Sequence, residues 1–100
     1  MRRKTSISEY YKPPYRLEPG KVDKELLAIL IDISSIRSDK VITALFEYYI
    51  HGNKRKVICE KHGVNQGYLS LKIREIQDLN SRIYSLFPFY IDKLISPPSR

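Results

Sequence analysis

The run Arg55-Lys56-Val57-Ile58-Cys59-Glu60-Lys61-His62-Gly63-Val64-Asn65-Gln66-Gly67-Tyr68-Leu69-Ser70-Leu71-Lys72-Ile73 decides the fold. It reads as two helical segments on either side of Gly63. Two helices packed steeply across a tight turn make strict demands on a few positions. The second helix needs a small residue where it crosses the first, and Cys59 supplies it. The turn needs a residue that tolerates positive φ, and Gly63 follows four positions later. Val64 then points inward and Leu69 anchors the second helix. Cys59, Gly63, Val64 and Leu69 stand at the spacing of a DNA-binding helix-turn-helix, placed at about residues 54–80. Position 72 departs from that pattern. The apolar residue expected there is Lys72, with Ile73 beside it, so the second helix is expected either rotated or one residue longer before it docks.

Working outward, the chain keeps to helical periodicity. Leu26, Leu27, Leu30, Ile31 and Ile33 give a first helix from after Gly20 to about Ile33 a broad apolar face, with Asp23 and Glu25 placed for its N-terminal dipole. Ser38 and Asp39 are good caps for a second helix over about 39–51, which has little polar face and ends at Gly52-Asn53. A helix of that kind is usually the buried one of a small bundle. A short helix over about 54–62 follows, and then a longer one from Asn65 or Gln66 towards Leu86. Its stripe of Leu69, Ile73, Ile76, Leu79, Ile83 and Leu86 marks one buried face, and Pro88 is expected to stop or kink it. The expectation is an all-α fold, a small helical bundle containing a helix-turn-helix. Residues 1–20 form an extended basic arm, 21–95 the helical domain and 96–100 a flexible tail.

Length and charge narrow the function. A chain of 100 residues holds one domain, and 18 Lys and Arg against 11 Asp and Glu leave a net charge of +7. The surplus is concentrated: residues 1–20 carry +3, 21–53 carry −1, 54–74 carry +5 and 75–100 are neutral. Such an excess predicts an anionic partner. The single cysteine excludes an internal disulfide and points to a reducing compartment. The longest apolar run, Leu26 to Ile31, is far short of the ~20 residues that span a bilayer. A cytoplasmic protein with no membrane partner is the expectation.

On the second helix Asn65, Gln66, Tyr68, Lys72 and Arg74 are expected to face a groove. Asn and Gln can bond adenine bidentately, Arg and Lys reach guanine or phosphate, and Tyr gives thymine an apolar contact. Lys54, Arg55 and Lys56 begin the preceding helix, where their charges and its amides could clamp the DNA backbone. Other tempting residues read as structural. Cys59 and His62 form a Cys-x-x-His pair, but two further ligands at metal-binding spacing are missing, so neither a metal nor another cofactor is expected. Tyr48 and Tyr49 could stack on bases, yet their helical spacing beside Leu45 assigns them to the core. No nucleophile–base–acid set or phosphate-cradling loop supports an enzyme.

From about Ile33 to Asn80 the chain resembles the PapB-type adhesin-biosynthesis transcription regulators of enterobacterial fimbrial operons. The resemblance is carried by Ile33-Ser34-Ser35-Ile36-Arg37-Ser38-Asp39-Lys40-Val41-Ile42, Arg55-Lys56, Cys59-Glu60-Lys61-His62 and Asn65-Gln66-Gly67-Tyr68-Leu69-Ser70. It implies a small, all-α, oligomeric protein that binds DNA and controls adhesin genes. It also implicates Arg55 and Cys59 in DNA binding, with Cys59 acting through the packing of the turn. The function expected is sequence-specific regulation of a fimbrial or afimbrial adhesin operon by a homo-oligomer on double-stranded DNA. Helix one and the stripe Ile76, Leu79, Ile83, Leu86 and Tyr90 are candidate assembly surfaces. The alternatives are an adaptor docking an acidic protein, or an RNA-binding protein.

Overall fold

The computed structural model describes residues 16–95, with side chains described through Ile91. The first fifteen residues and the 96–100 tail lie outside the described residues, so most of the expected arm does too. Five helices are described: α1 (Lys24–Ile33), α2 (Asp39–Tyr49), α3 (Arg55–His62), α4 (Gln66–Tyr84) and α5 (Phe87–Ile95). The fold is all-α, a small helical bundle.

Each boundary has a local cause. Asp23 caps α1, its carboxylate accepting from the amides of Glu25 at 2.8 Å and Leu26 at 3.2 Å. The Ser34–Ser38 stretch joins α1 to α2 as a self-bonded turn. The Ser34 hydroxyl donates to the Ile31 carbonyl at 2.6 Å and accepts from the Ile36 amide at 3.1 Å. The Arg37 guanidinium donates to the carbonyls of Ser34 and Ile36 at 2.9 and 2.7 Å. Ser38 then caps α2, accepting from the Val41 amide. The Ile-Ser-Ser-Ile-Arg-Ser run is therefore a connector whose polar side chains satisfy backbone groups left over at two helix ends.

The core gathers Leu27 and Leu30 of α1, Ala44, Leu45 and Tyr49 of α2, Ile58 of α3, and Leu69 and Ile76 of α4, all at most 1 % exposed. Full burial of one such aliphatic or aromatic side chain stabilises by about 1.5–3 kcal/mol. Helix α2 is the hub, packing against α1, α3 and α4. The Tyr49 hydroxyl donates to the Ile73 carbonyl of α4 at 2.8 Å.

Several expectations are corrected. Leu26 and Ile33, assigned to the inner face of the first helix, are 40 % and 55 % exposed, because α1 turns only Leu27, Leu30 and Ile31 inward. The long helix stops at Tyr84, and its stripe is buried only as far as Ile76, with Leu79 half-buried and Ile83 and Leu86 exposed. The expected stop at Pro88 holds: four residues past Tyr84, it has no amide to bond that carbonyl, so the long helix ends there, and Pro88 itself sits in the first turn of α5, where a missing amide costs no helical bond. Leu17, counted with the arm, is buried against the bundle, and the amides of Gly20 and Val22 donate to the Tyr49 carbonyl at 2.9 and 3.2 Å.

Candidate nucleic-acid interface

Helices α3 and α4 meet across Gly63, Val64 and Asn65. Gly63 adopts φ 67°, ψ 39° and its amide donates to the Cys59 carbonyl, as does that of Val64 at 3.0 Å. This is the left-handed stop that glycine makes without strain. Cys59 is buried beneath the turn, Val64 is partly buried, and Leu69 is fully buried. Cys59, Val64 and Leu69 thus turn inward around a stop made by Gly63.

The polar residues divide. Asn65 spends its side-chain oxygen on capping α4, accepting from the Tyr68 amide at 2.9 Å. Gln66 is exposed at the first position of α4. Lys72 is not free: its ammonium pairs with Glu75 at 3.1 Å and lies 5.3 Å from the centre of the Tyr68 ring. At about 3.6 residues per turn, Lys72 and Arg74 lie about 200° apart around the helix. Tyr68 and Lys72 therefore occupy one flank of α4 and Arg74 the other. The departure at position 72 has a plain cause: α4 buries Leu69, Ile73 and Ile76, which leaves position 72 at the edge of the buried face.

On the Arg74 flank the structure brings together residues from four parts of the chain. An open, polar groove of about 560 Å³ is lined by Arg16, Tyr48 of α2, Arg55 of α3, and Ser70, Ile73, Arg74, Gln77 and Asp78 of α4. The Arg55 guanidinium carbon sits 5.9 Å from the centre of the Tyr48 ring, within cation–π range. Tyr48, expected in the core, is thus half-buried and forms the floor under a charge, while Tyr49 beside it is fully buried.

Among the described residues the ion pairs are Lys21–Glu18, Lys61–Glu47, His62–Glu47 and Lys72–Glu75. Lys54, Arg55, Lys56, Arg74 and Arg16 take part in none of them. Lys61 and His62 are committed elsewhere. His62 Nε2 lies 2.7 Å from Glu47 Oε2 and Lys61 Nζ 3.3 Å from the same oxygen, fastening the end of α3 to α2. The His62 hydrogen bond is the main reason that the Glu47 carboxyl titrates below its ordinary value; burial opposes the shift, and Lys61 and Asn53 add to it.

Arg16, Tyr48 and Gln77 were absent from the sequence-derived set. Gln77 left a signal: it falls on the buried face of α4, and a polar side chain at a buried position needs a partner. That partner is the backbone of Leu17, whose amide donates to Gln77 Oε1 at 3.0 Å and whose carbonyl accepts from Gln77 Nε2 at 2.8 Å.

Comparison with known proteins bears on what the site serves. The chain is 61% identical over 72 residues to the regulatory protein FanB of Escherichia coli, covering 72% of this chain and 73% of that one. It is 40% identical over 77 residues to the major pilus subunit operon regulatory protein PapB of E. coli, covering 77% and 74%. The crystal structure of E. coli FocB superposes with a TM-score of 0.70 at 35% identity, covering 86% of this chain and 97% of that one. FanB and PapB are named as regulatory proteins and not as enzymes. The family model described as adhesin biosynthesis transcription regulatory protein, PapB, matches residues 2–90, and the chain belongs to that family.

Proposed function

We propose that this protein is a sequence-specific DNA-binding regulator of a fimbrial or afimbrial adhesin operon, acting in the cytoplasm as a homo-oligomer through the α3–turn–α4 helix-turn-helix. The observation that carries this reading is the group of unneutralised cations on that helix pair. Lys54, Arg55 and Lys56 begin α3, Arg74 lies on α4, and none of them takes part in an ion pair with a described carboxylate. Arginine and lysine held this way neutralise backbone phosphates and release condensed counterions, which supplies most of the affinity of such proteins. Gln66 and Tyr68, exposed at the start of α4, are then the side chains placed to read base edges, with Asn65 shaping the entry of the helix and Lys72 reaching the duplex only by leaving Glu75. Cys59, Gly63, Val64 and Leu69 support the turn without touching DNA.

A salt titration on duplex DNA tests the reading. The plot of log K against log salt is expected to be linear with a slope of about −0.9 per neutralised phosphate, and Arg55→Ala to flatten it by about one such unit. No binding to duplex at low salt would overturn the reading in favour of an adaptor for an acidic protein. A preference for single-stranded RNA would overturn it in favour of RNA binding.

A further inference from the structure

We propose that Arg16 is a contact to the phosphate backbone of the same DNA duplex, held against α4 by Gln77, so that the interface extends off the helix pair onto the N-terminal segment. This rests on the DNA-binding reading above.

Arg16 lines the groove that also holds Arg55 and Arg74, and no ion pair with a described carboxylate occupies any of the three. Three arginines line one polar groove against a single acidic lining residue, Asp78, which sits one helical turn beyond Arg74 on α4. Collecting three like charges is unfavourable by itself, and an anion threading between them relieves the repulsion. Guanidinium is also the group best shaped to bond phosphate oxygens in pairs. The three arginines come from segments far apart in sequence, as a backbone track requires and a solvated charge run along one helix does not.

The segment carrying Arg16 is fastened. Both backbone polar groups of Leu17 are bonded by one side chain, Gln77, and the Leu17 side chain is buried. Three residues on, the chain passes through Gly20, which meets Gly52 so closely that a Cβ on it would lie 3.2 Å from the Gly52 Cα. Arg16 is near enough to Tyr49 for its charge to offset part of the rise that burial imposes on that phenol. Gln77 is a positioning residue: it fixes the backbone from which Arg16 reaches the groove.

The experiment compares Arg16→Gln, Gln77→Leu, Arg55→Ala and Lys40→Gln in the full chain on one duplex over a range of salt, with folding checked by circular dichroism. Lys40 stands at the far end of α2, about 12 Å from Tyr48 at ~1.5 Å per residue, and controls for loss of one positive charge anywhere. Arg16→Gln is expected to lower the slope by about 0.9 and to weaken binding about tenfold near 0.1 M salt, with Lys40→Gln close to wild type. Gln77→Leu is expected to lower the slope likewise, and Arg16→Gln added to it to cause little further loss, a pattern that lost stability alone does not produce. If Gln77→Leu does not fold, Arg16→Gln decides the matter alone. An unchanged slope for Arg16→Gln beside a flattened one for Arg55→Ala overturns this inference and leaves the DNA-binding reading standing. Equal losses in Arg16→Gln and Lys40→Gln overturn it as well. Failure of the wild type to bind duplex overturns both.

Discussion

Tyr49 serves two neighbours at once, and its burial makes the consequences measurable. Its hydroxyl holds α4 through the Ile73 carbonyl, and its own carbonyl holds Gly20 and Val22. Tyr49→Phe keeps the backbone contacts and the ring, so it is expected to cost about 1 kcal/mol, the net worth of one hydrogen bond, read by urea denaturation. Burial raises the phenol above its ordinary value of 10.0, so the folded state favours the neutral form. That contribution is fully present below pH 10 and is lost as pH rises further, so the gap between wild type and Tyr49→Phe narrows in alkali. Glu47 gives the opposite sign. Its carboxyl titrates below 4.5 in the folded state, chiefly through His62, so its contribution is present above that value and is lost as pH falls through the folded pKa. Glu47→Gln is expected to be less stable than wild type at neutral pH and to converge with it in acid, as followed by thermal melts across pH 3–7. An unchanged gap across that range would show that the negative charge of Glu47 contributes nothing to stability.

At the scale of elements, the turns carry the specificity of the fold, and two glycines separate its causes. Gly63 has nothing within 4 Å of where a Cβ would be, so Gly63→Ala carries only the penalty of a positive φ, about 1 kcal/mol. Gly20, at φ 82°, adds steric crowding against the Gly52 backbone, so Gly20→Ala is expected to cost more, about 2–3 kcal/mol by denaturant titration. Equal losses would mean that the Gly20–Gly52 approach relaxes freely. Helix existence and order were legible in the sequence because caps and stops are local: Asp23, Ser38, Gly63 and Asn65 each act within a few residues of the boundary they set. The turn was legible for the same reason. Which apolar residues face inward on α1, and where the α4 stripe meets solvent, were not, because those depend on how many neighbours a helix has and not on its own period. The groove was legible only in part. Arg55 and Arg74 stood out by charge, whereas Arg16 reaches the groove through a bond between residues 17 and 77 that no local pattern encodes.

At the scale of the molecule, two groups of exposed apolar residues among the described ones bear on how copies of the chain assemble. Leu26, Ile29 and Ile33 stand 40 %, 56 % and 55 % exposed along one stripe of α1. Ile83, Leu86, Phe87, Phe89 and Tyr90 are exposed around the corner between α4 and α5. Scattered exposed apolar residues are ordinary, but clustered ones on a soluble protein mark places where partners dock. As candidate assembly surfaces of the proposed homo-oligomer, they predict that charge placed on either separates copies without unfolding the bundle. Ile29→Glu is expected to keep the helical content of wild type by circular dichroism, since a site exposed on the single chain contributes little to its core. In sedimentation velocity it should lower the oligomer mass. Its effect on DNA differs in kind from that of Arg55→Ala. Removing a phosphate contact shallows the salt slope by one contact per protomer, whereas halving the number of protomers bound together roughly halves the whole slope. An Ile29→Glu variant that keeps both its oligomer mass and its full slope, with Phe89→Asp losing both, would place assembly at the α4–α5 corner and leave the α1 stripe unused.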